Sequence, residues 1–166
     1  MVSERSRTED MLEIQQQIYR YCRSMDRMDV ALGYGVWHED GGADYGEAIF
    51  QGTGRGFIDF VTQTHAGMEA TSHQVSNTLI EVRGDEAVSE SYVTAALRIR
   101  DGGQLKQVET RGRYLDQWAY RGGRWAITMR RYVHDFDDVR DIGAISIPGK
   151  MTRDRSDLSY TVLAES

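Results

Sequence analysis

The chain offers four histidines, 26 carboxylates and a single cysteine for acid–base or nucleophilic work. His73 stands in the run Thr71-Ser72-His73-Gln74-Val75-Ser76-Asn77, where alternation puts it on one strand face with Val75, Asn77 and Leu79. A neutral imidazole on such a mixed face can serve as a general base near neutral pH; equally, it can be an interior histidine bonded to the neighbouring strand. Asp26 closes an apolar helical stripe and follows Tyr21 by five residues. A carboxylate there faces the negative end of the helix dipole, a poor place for a charge unless it has a task. If the helix end turns toward His73, Asp26 would hold one imidazole tautomer and stabilise the imidazolium.

The run Arg130-Arg131-Tyr132-Val133-His134-Asp135 closes the last long strand. Its alternation puts Ala126, Thr128, Arg130, Tyr132 and His134 on one face. Trp125, Ile127, Met129, Arg131, Val133 and Asp135 fall on the other, which is core-directed except at Arg131 and Asp135; spacing leaves the first set open between a pocket and a subunit interface. Arg113 and Asp116 read as a cross-strand ion pair. His134, Asp135, Asp137 and Asp138 form an acidic solvated stretch rather than a metal site, and Cys22 lies on the helical stripe as a core residue. Gly52-Thr53-Gly54-Arg55-Gly56 lacks the lysine of a phosphate-binding loop, and no esterase Gly-x-Ser-x-Gly occurs.

These residues need elements to position them. The first helix opens with a capping box at Ser6 and Glu9 and carries Met11, Ile14, Ile18, Cys22 and Met25 along one face. Asp29 caps a second helix running through Val30 to Trp37. Brief extended segments follow at Ala43–Tyr45 and Glu47–Gln51, then a third helix from Gly56 to Met68 with Phe57, Phe60, Val61 and His65 at helical spacing. Beyond residue 70 the period falls to two. Four long strands, 71–83, 87–101, 104–121 and 124–135, are joined by Gly84-Asp85, Gly102-Gly103 and Gly122-Gly123 hairpins. In the second of them Val93, Ala95, Leu97 and Ile99 share a face opposite Tyr92. Strands this long must coil, with a bulge or a glycine such as Gly112 to help. Residues from Asp137 on form an irregular arm containing Pro148, with a short strand at Ser159–Leu163.

Helices first and a curved antiparallel sheet afterwards make a single α+β domain over residues 1–166: a core at about 8–138 and an arm at 139–166. The formal charge of −6 argues against nucleic acid or an anionic membrane as partner. No run is long and apolar enough to span a bilayer, the charged N-terminus is no secretory signal, and a lone cysteine excludes a disulfide framework. The expected setting is the cytoplasm.

The whole order resembles the SnoaL-like branch of the nuclear transport factor 2-like (cystatin-like) superfamily. The resemblance is carried by Tyr21 and Asp26 at the first helix end and by Ser72-His73, Asn77, Glu81, Gly84-Asp85, Ala87 and Glu90-Ser91-Tyr92. Gly112-Arg113-Tyr114, Asp116, Gly123, Trp125, Ile127 and Arg130 complete it. It implies a cone of curved sheet packed on N-terminal helices with a deep apolar pocket. Enzymatic members include lindane dehydrochlorinase, scytalone dehydratase and bacterial bile acid 7α-dehydratase, which run eliminations on a His–Asp dyad without cofactor or metal. Carried over, His73 is the base and Asp26 its partner, with Tyr21, Tyr92 and His134 as substrate contacts. Tyr21 takes the place of a tyrosine in the bile acid enzyme and a lysine in the dehydrochlorinase; His134 falls about where the bile acid enzyme has an arginine. No residue is matched to the second histidine of scytalone dehydratase. The implied ligand is a small apolar cyclic, polyketide- or steroid-like molecule, and the implied assembly a homo-oligomer, trimer or dimer. The family also contains non-catalytic members, such as small subunits of ring-hydroxylating dioxygenases, so a docking or carrier module is the alternative.

Overall fold

The structure is a computed structural model and describes residues 6–143 and 151–163. Helix α1 (Arg7–Arg27) begins at the Ser6–Glu9 capping box and ends where Met28 adopts a left-handed conformation. It buries Ile14, Ile18, Tyr21, Cys22 and Met25 against the sheet. The short helix α2 (Val30–Gly35) is capped by Asp29, whose carboxylate accepts the Leu32 amide. It stops two residues before Trp37, because that residue already belongs to strand β1 (Trp37–Asp44), which absorbs the extended segment expected at Ala43–Tyr45. β2 (Gln51–Thr53) follows, and Thr53 caps α3 (Gly54–Ala66), starting that helix two residues ahead of expectation.

The four long strands are β3 (Ala70–Arg83), β4 (Glu86–Asp101), β5 (Gln104–Arg121) and β6 (Arg124–Asp141). With β1 and β2 they form one curved sheet in the order β2-β1-β6-β5-β4-β3. The sheet is mixed rather than purely antiparallel, since β1 runs parallel to β6. Among the described residues no helix is long and apolar enough to cross a membrane.

Bulges bend the sheet and correct three readings of its faces. An extra residue in β3 between Ser76 and Leu79 puts Asn77 at φ +49 and flips the alternation. Leu79, expected beside His73, is therefore 71% exposed, while Ile80 packs on the core. In β6, Trp118 pairs with Ile127 but Gln117 with Met129, so Thr128 is the extra residue. Trp125 and Ile127 face inward as expected and Arg131 is exposed, but beyond the bulge the inward residues are Arg130 and Tyr132 rather than Met129 and Val133. Asp116 consequently pairs with Arg130 rather than with Arg113, which reaches Glu90 and Asp135 instead.

The arm is helical where a strand was expected: Ser159–Val162 form one turn, α4. Asp157 accepts hydrogen bonds from the Ser159 amide and hydroxyl and so starts the turn. Pro148 and the rest of 144–150 in that arm lie outside the described residues.

Candidate functional site

α1 runs beside β3, an edge strand paired on one side by β4 alone. The outward backbone of β3 therefore needs a partner. Asp26, in the last turn of α1, supplies it: Oδ2 accepts the His73 amide at 2.9 Å, and Oδ1 lies 2.7 Å from His73 Nδ1. Both side chains are largely buried, at 13% and 8% exposure. One carboxylate thus fixes the backbone and the ring of the same histidine and offsets its own poor place at a helix C-terminus. In the uncharged ring this geometry puts the proton on Nδ1 and leaves Nε2 for a ligand.

His73 borders a cavity of about 370 Å³ inside the cone. Apolar walls come from Met25, Phe57, Val61, Val93, Ala95 and Leu97, and polar groups from Tyr21, Tyr45, His65, Thr110, Tyr132 and His134. A small, mostly apolar chamber with a few convergent polar groups is the usual form of a ligand site. A wider groove of about 970 Å³ lies outside, between α1, α2 and the arm, but no His–Asp pair lines it.

Tyr21 and Tyr45 have hydroxyls 2.8 Å apart. Burial pushes both phenols well above their ordinary range, so they stand as proton-bearing donors. Behind Tyr21, the guanidinium of Arg130 lies 4.1 Å from the Tyr21 ring and 4.0 Å from the Tyr114 ring. It is held by two 2.7 Å bonds to Asp116, both side chains being fully buried. Cys22 is buried, and that burial pushes its thiol up to about 12; it is a core residue.

His134 lies at the cavity mouth, 44% exposed, with Nε2 3.5 Å from Asp137 Oδ2 and Nδ1 3.3 Å from the Thr110 hydroxyl. Tyr92 does not join the cavity. Val93, Ala95 and Leu97 point inward, so Tyr92 stands on the outer face, 45% exposed, and not at the cavity where the expected substrate contact would put it. Its position is consistent with β4 alternation and shows that the shared motif position alone does not aim a side chain inward.

His65 is the residue that sequence reasoning missed. It reads as one more position on the buried face of α3, yet its ring lines the cavity, with its centroid 5.7 Å from that of His73. The residue is 5% exposed, and its Nδ1 has no partner among the described residues. Burial, then the neighbouring His73 and Arg153, press its pKa down to about 4, so it is a neutral imidazole at neutral pH. The only hint in the sequence is a polar residue among apolar ones at helical spacing. Among the described residues no three His, Cys, Asp or Glu side chains converge as metal ligands would.

The sequence matches the family described as a SnoaL-like domain over residues 6–131. No curated protein matches it significantly. Among solved structures, a hexachlorocyclohexane dehydrochlorinase, LinA-type3, from Novosphingobium barchaimii superposes with a TM-score of 0.72 at 15% identity, covering 86% of this chain and 97% of its own. A protein from Novosphingobium aromaticivorans, provisionally named a scytalone dehydratase, gives 0.64 at 24%, covering 81% and 89%. A nuclear transport factor 2-like superfamily protein from Salmonella enterica gives 0.67 at 22%, covering 89% and 100%. At these identities the likeness is one of fold.

Proposed function

The chain belongs to the SnoaL-like domain family, and from that premise we propose that it is a lyase that eliminates water from an apolar cyclic molecule using its own side chains, without a cofactor. His73 Nε2 removes a proton from carbon. The C–H electron pair becomes the new double bond as the neighbouring C–O bond breaks, and the departing oxygen takes a proton to leave as water. Tyr21, backed by Tyr45, and His134 at the mouth are the donors we assign to that oxygen. Asp26 holds the Nδ1 proton and offsets the imidazolium charge that forms on His73. The observation that carries this reading is the 2.7 Å contact of Asp26 with Nδ1 of His73, a residue that itself lines a largely apolar cavity of about 370 Å³. Fold neighbours that include a dehydrochlorinase support it.

The proposal extends to a homo-oligomer in the cytoplasm. Leu79, Val88 and Tyr92 leave apolar surface on the outer sheet face, which a second copy would cover.

The test is a panel of cyclic β-hydroxy ketones, followed by the rise of enone absorbance. The wild type should convert at least one member, and His73→Gln should lower turnover by ~10²–10⁴-fold while the fold is kept. Turnover unchanged in His73→Gln contradicts the mechanism. Tight binding without conversion, equal in both proteins, favours a carrier.

A further inference from the structure

The arm reaches the site from outside the residues matched to the family, which end at 131. The end of α3 is closed by the Gly67 and Met68 amides, which both donate to the His65 carbonyl. Arg153 adds to this closure from the arm: Nη1 donates to the same His65 carbonyl at 3.0 Å and to the Met68 carbonyl, just past the helix, at 2.7 Å. Its Nη2 lies 3.1 Å from Sδ of Met28, the residue that ends α1 two positions after Asp26. One guanidinium thus spans the two helix ends that carry His65 and Asp26.

The arm is itself anchored. Arg27 donates to the Thr152 carbonyl at 2.6 Å and pairs with Asp157 at 3.1 Å, and the Tyr160 hydroxyl donates to Asp29 at 2.7 Å. Thr152, directly before Arg153, is therefore held to the same end of α1. A helix terminus could be capped by any nearby donor. A planar fork on an anchored backbone does more, because it fixes a spacing as well as satisfying two acceptors.

We propose that Arg153 is a positioning residue of the cavity, a staple that sets where the His65 ring stands relative to the Asp26–His73 pair. The inference rests on reading the cavity as the reaction chamber. His65 is suited to such placement, since its buried Nδ1 has no partner among the described residues and its ring lines the cavity. The charged and titratable groups around that ring are His73 and Asp26 on one side, Arg153 behind it, and His134 with Asp137 across the chamber. Arg153 and burial act in the same direction on His65, so loosening the staple should show in its titration.

The test uses the full chain with ¹⁵N-labelled histidine, titrated by NMR. Arg153→Met keeps the stem and removes the fork; the His65 midpoint should rise from about 4, with altered ring shifts. Arg153→Lys keeps a charge but cannot grip two carbonyls and a thioether together, so it should recover only part of the change. Tyr160→Phe cuts an arm tie far from α3 and should lower the melting temperature while leaving the His65 midpoint in place. A midpoint unmoved in Arg153→Met overturns the inference. So does full recovery in Arg153→Lys, which would leave charge alone as the cause, or a Tyr160→Phe shift equal to that of Arg153→Met. If Arg153→Met does not fold, the lysine variant decides. The His73 tautomer, read in the same spectra, reports separately on the Asp26–His73 pair.

Discussion

At the residue scale, the two buried ion-handling groups have different work. His73 lines the cavity with Asp26 bonded to its Nδ1, whereas Asp116 and Arg130 are paired with no exposure. A buried pair is weak evidence for net stability, yet removing one partner is costly because the other is left charged and unsolvated. Asp116→Ala should therefore destabilise the protein by about 3–5 kcal/mol in denaturant unfolding. The double change Asp116→Leu with Arg130→Met should cost clearly less than the sum of the single changes. A small loss in Asp116→Ala would mean that Arg130 finds another anion. Sequence could nominate Asp26 and His73, because a charge in an unfavourable helix position and a lone strand histidine both stand out. It could not nominate His65, whose spacing is that of a core residue, nor choose Arg130 over Arg113 as the partner of Asp116.

At the element scale, that last choice was hidden because face assignments by alternation fail at each inserted residue. Thr128 is such a residue, and one extra position moves every later side chain to the opposite face. Hairpins, capping box and helix stripe were readable because each is a local pattern; bulges answer to the curvature of the whole sheet. Gly112 shows the same dependence. A Cβ there would lie 2.4 Å from the Val133 carbonyl oxygen and 2.6 Å from the Tyr132 ring. Backbone cannot yield cheaply, so Gly112→Ala should cost about 1–3 kcal/mol. Because Tyr132 lines the cavity, the same change should weaken ligand binding. Unfolding and binding measured on one preparation check both, and wild-type values for both would contradict the close packing.

At the scale of the molecule, the cone buries a histidine that resists protonation, and stability must register this. His65 has a pKa of about 4 when folded, against about 6.5 when unfolded. Between those values the unfolded chain binds more protons, so stability rises with pH through that window and falls as the pH drops through it. The full effect is roughly 3 kcal/mol, complete above pH about 6.5 and lost toward pH about 4. His65→Gln removes the titrating group. The melting-temperature gap between pH 7.5 and 4.5 should be smaller in that variant than in the wild type, and equal gaps would contradict a buried neutral His65. The arm belongs to this scale as well. No local pattern in residues 151–163 says that they pack on three helix ends, because that contact exists only once α1, α2 and α3 are assembled.

On the proposed mechanism, Asp26 holds His73 as a base by keeping the ring proton on Nδ1. Long-range ¹H–¹⁵N correlation of the labelled histidines tests it most directly. The uncharged His73 ring should carry its proton on Nδ1, with Nε2 bare. A proton on Nε2 and a bare Nδ1 would contradict it.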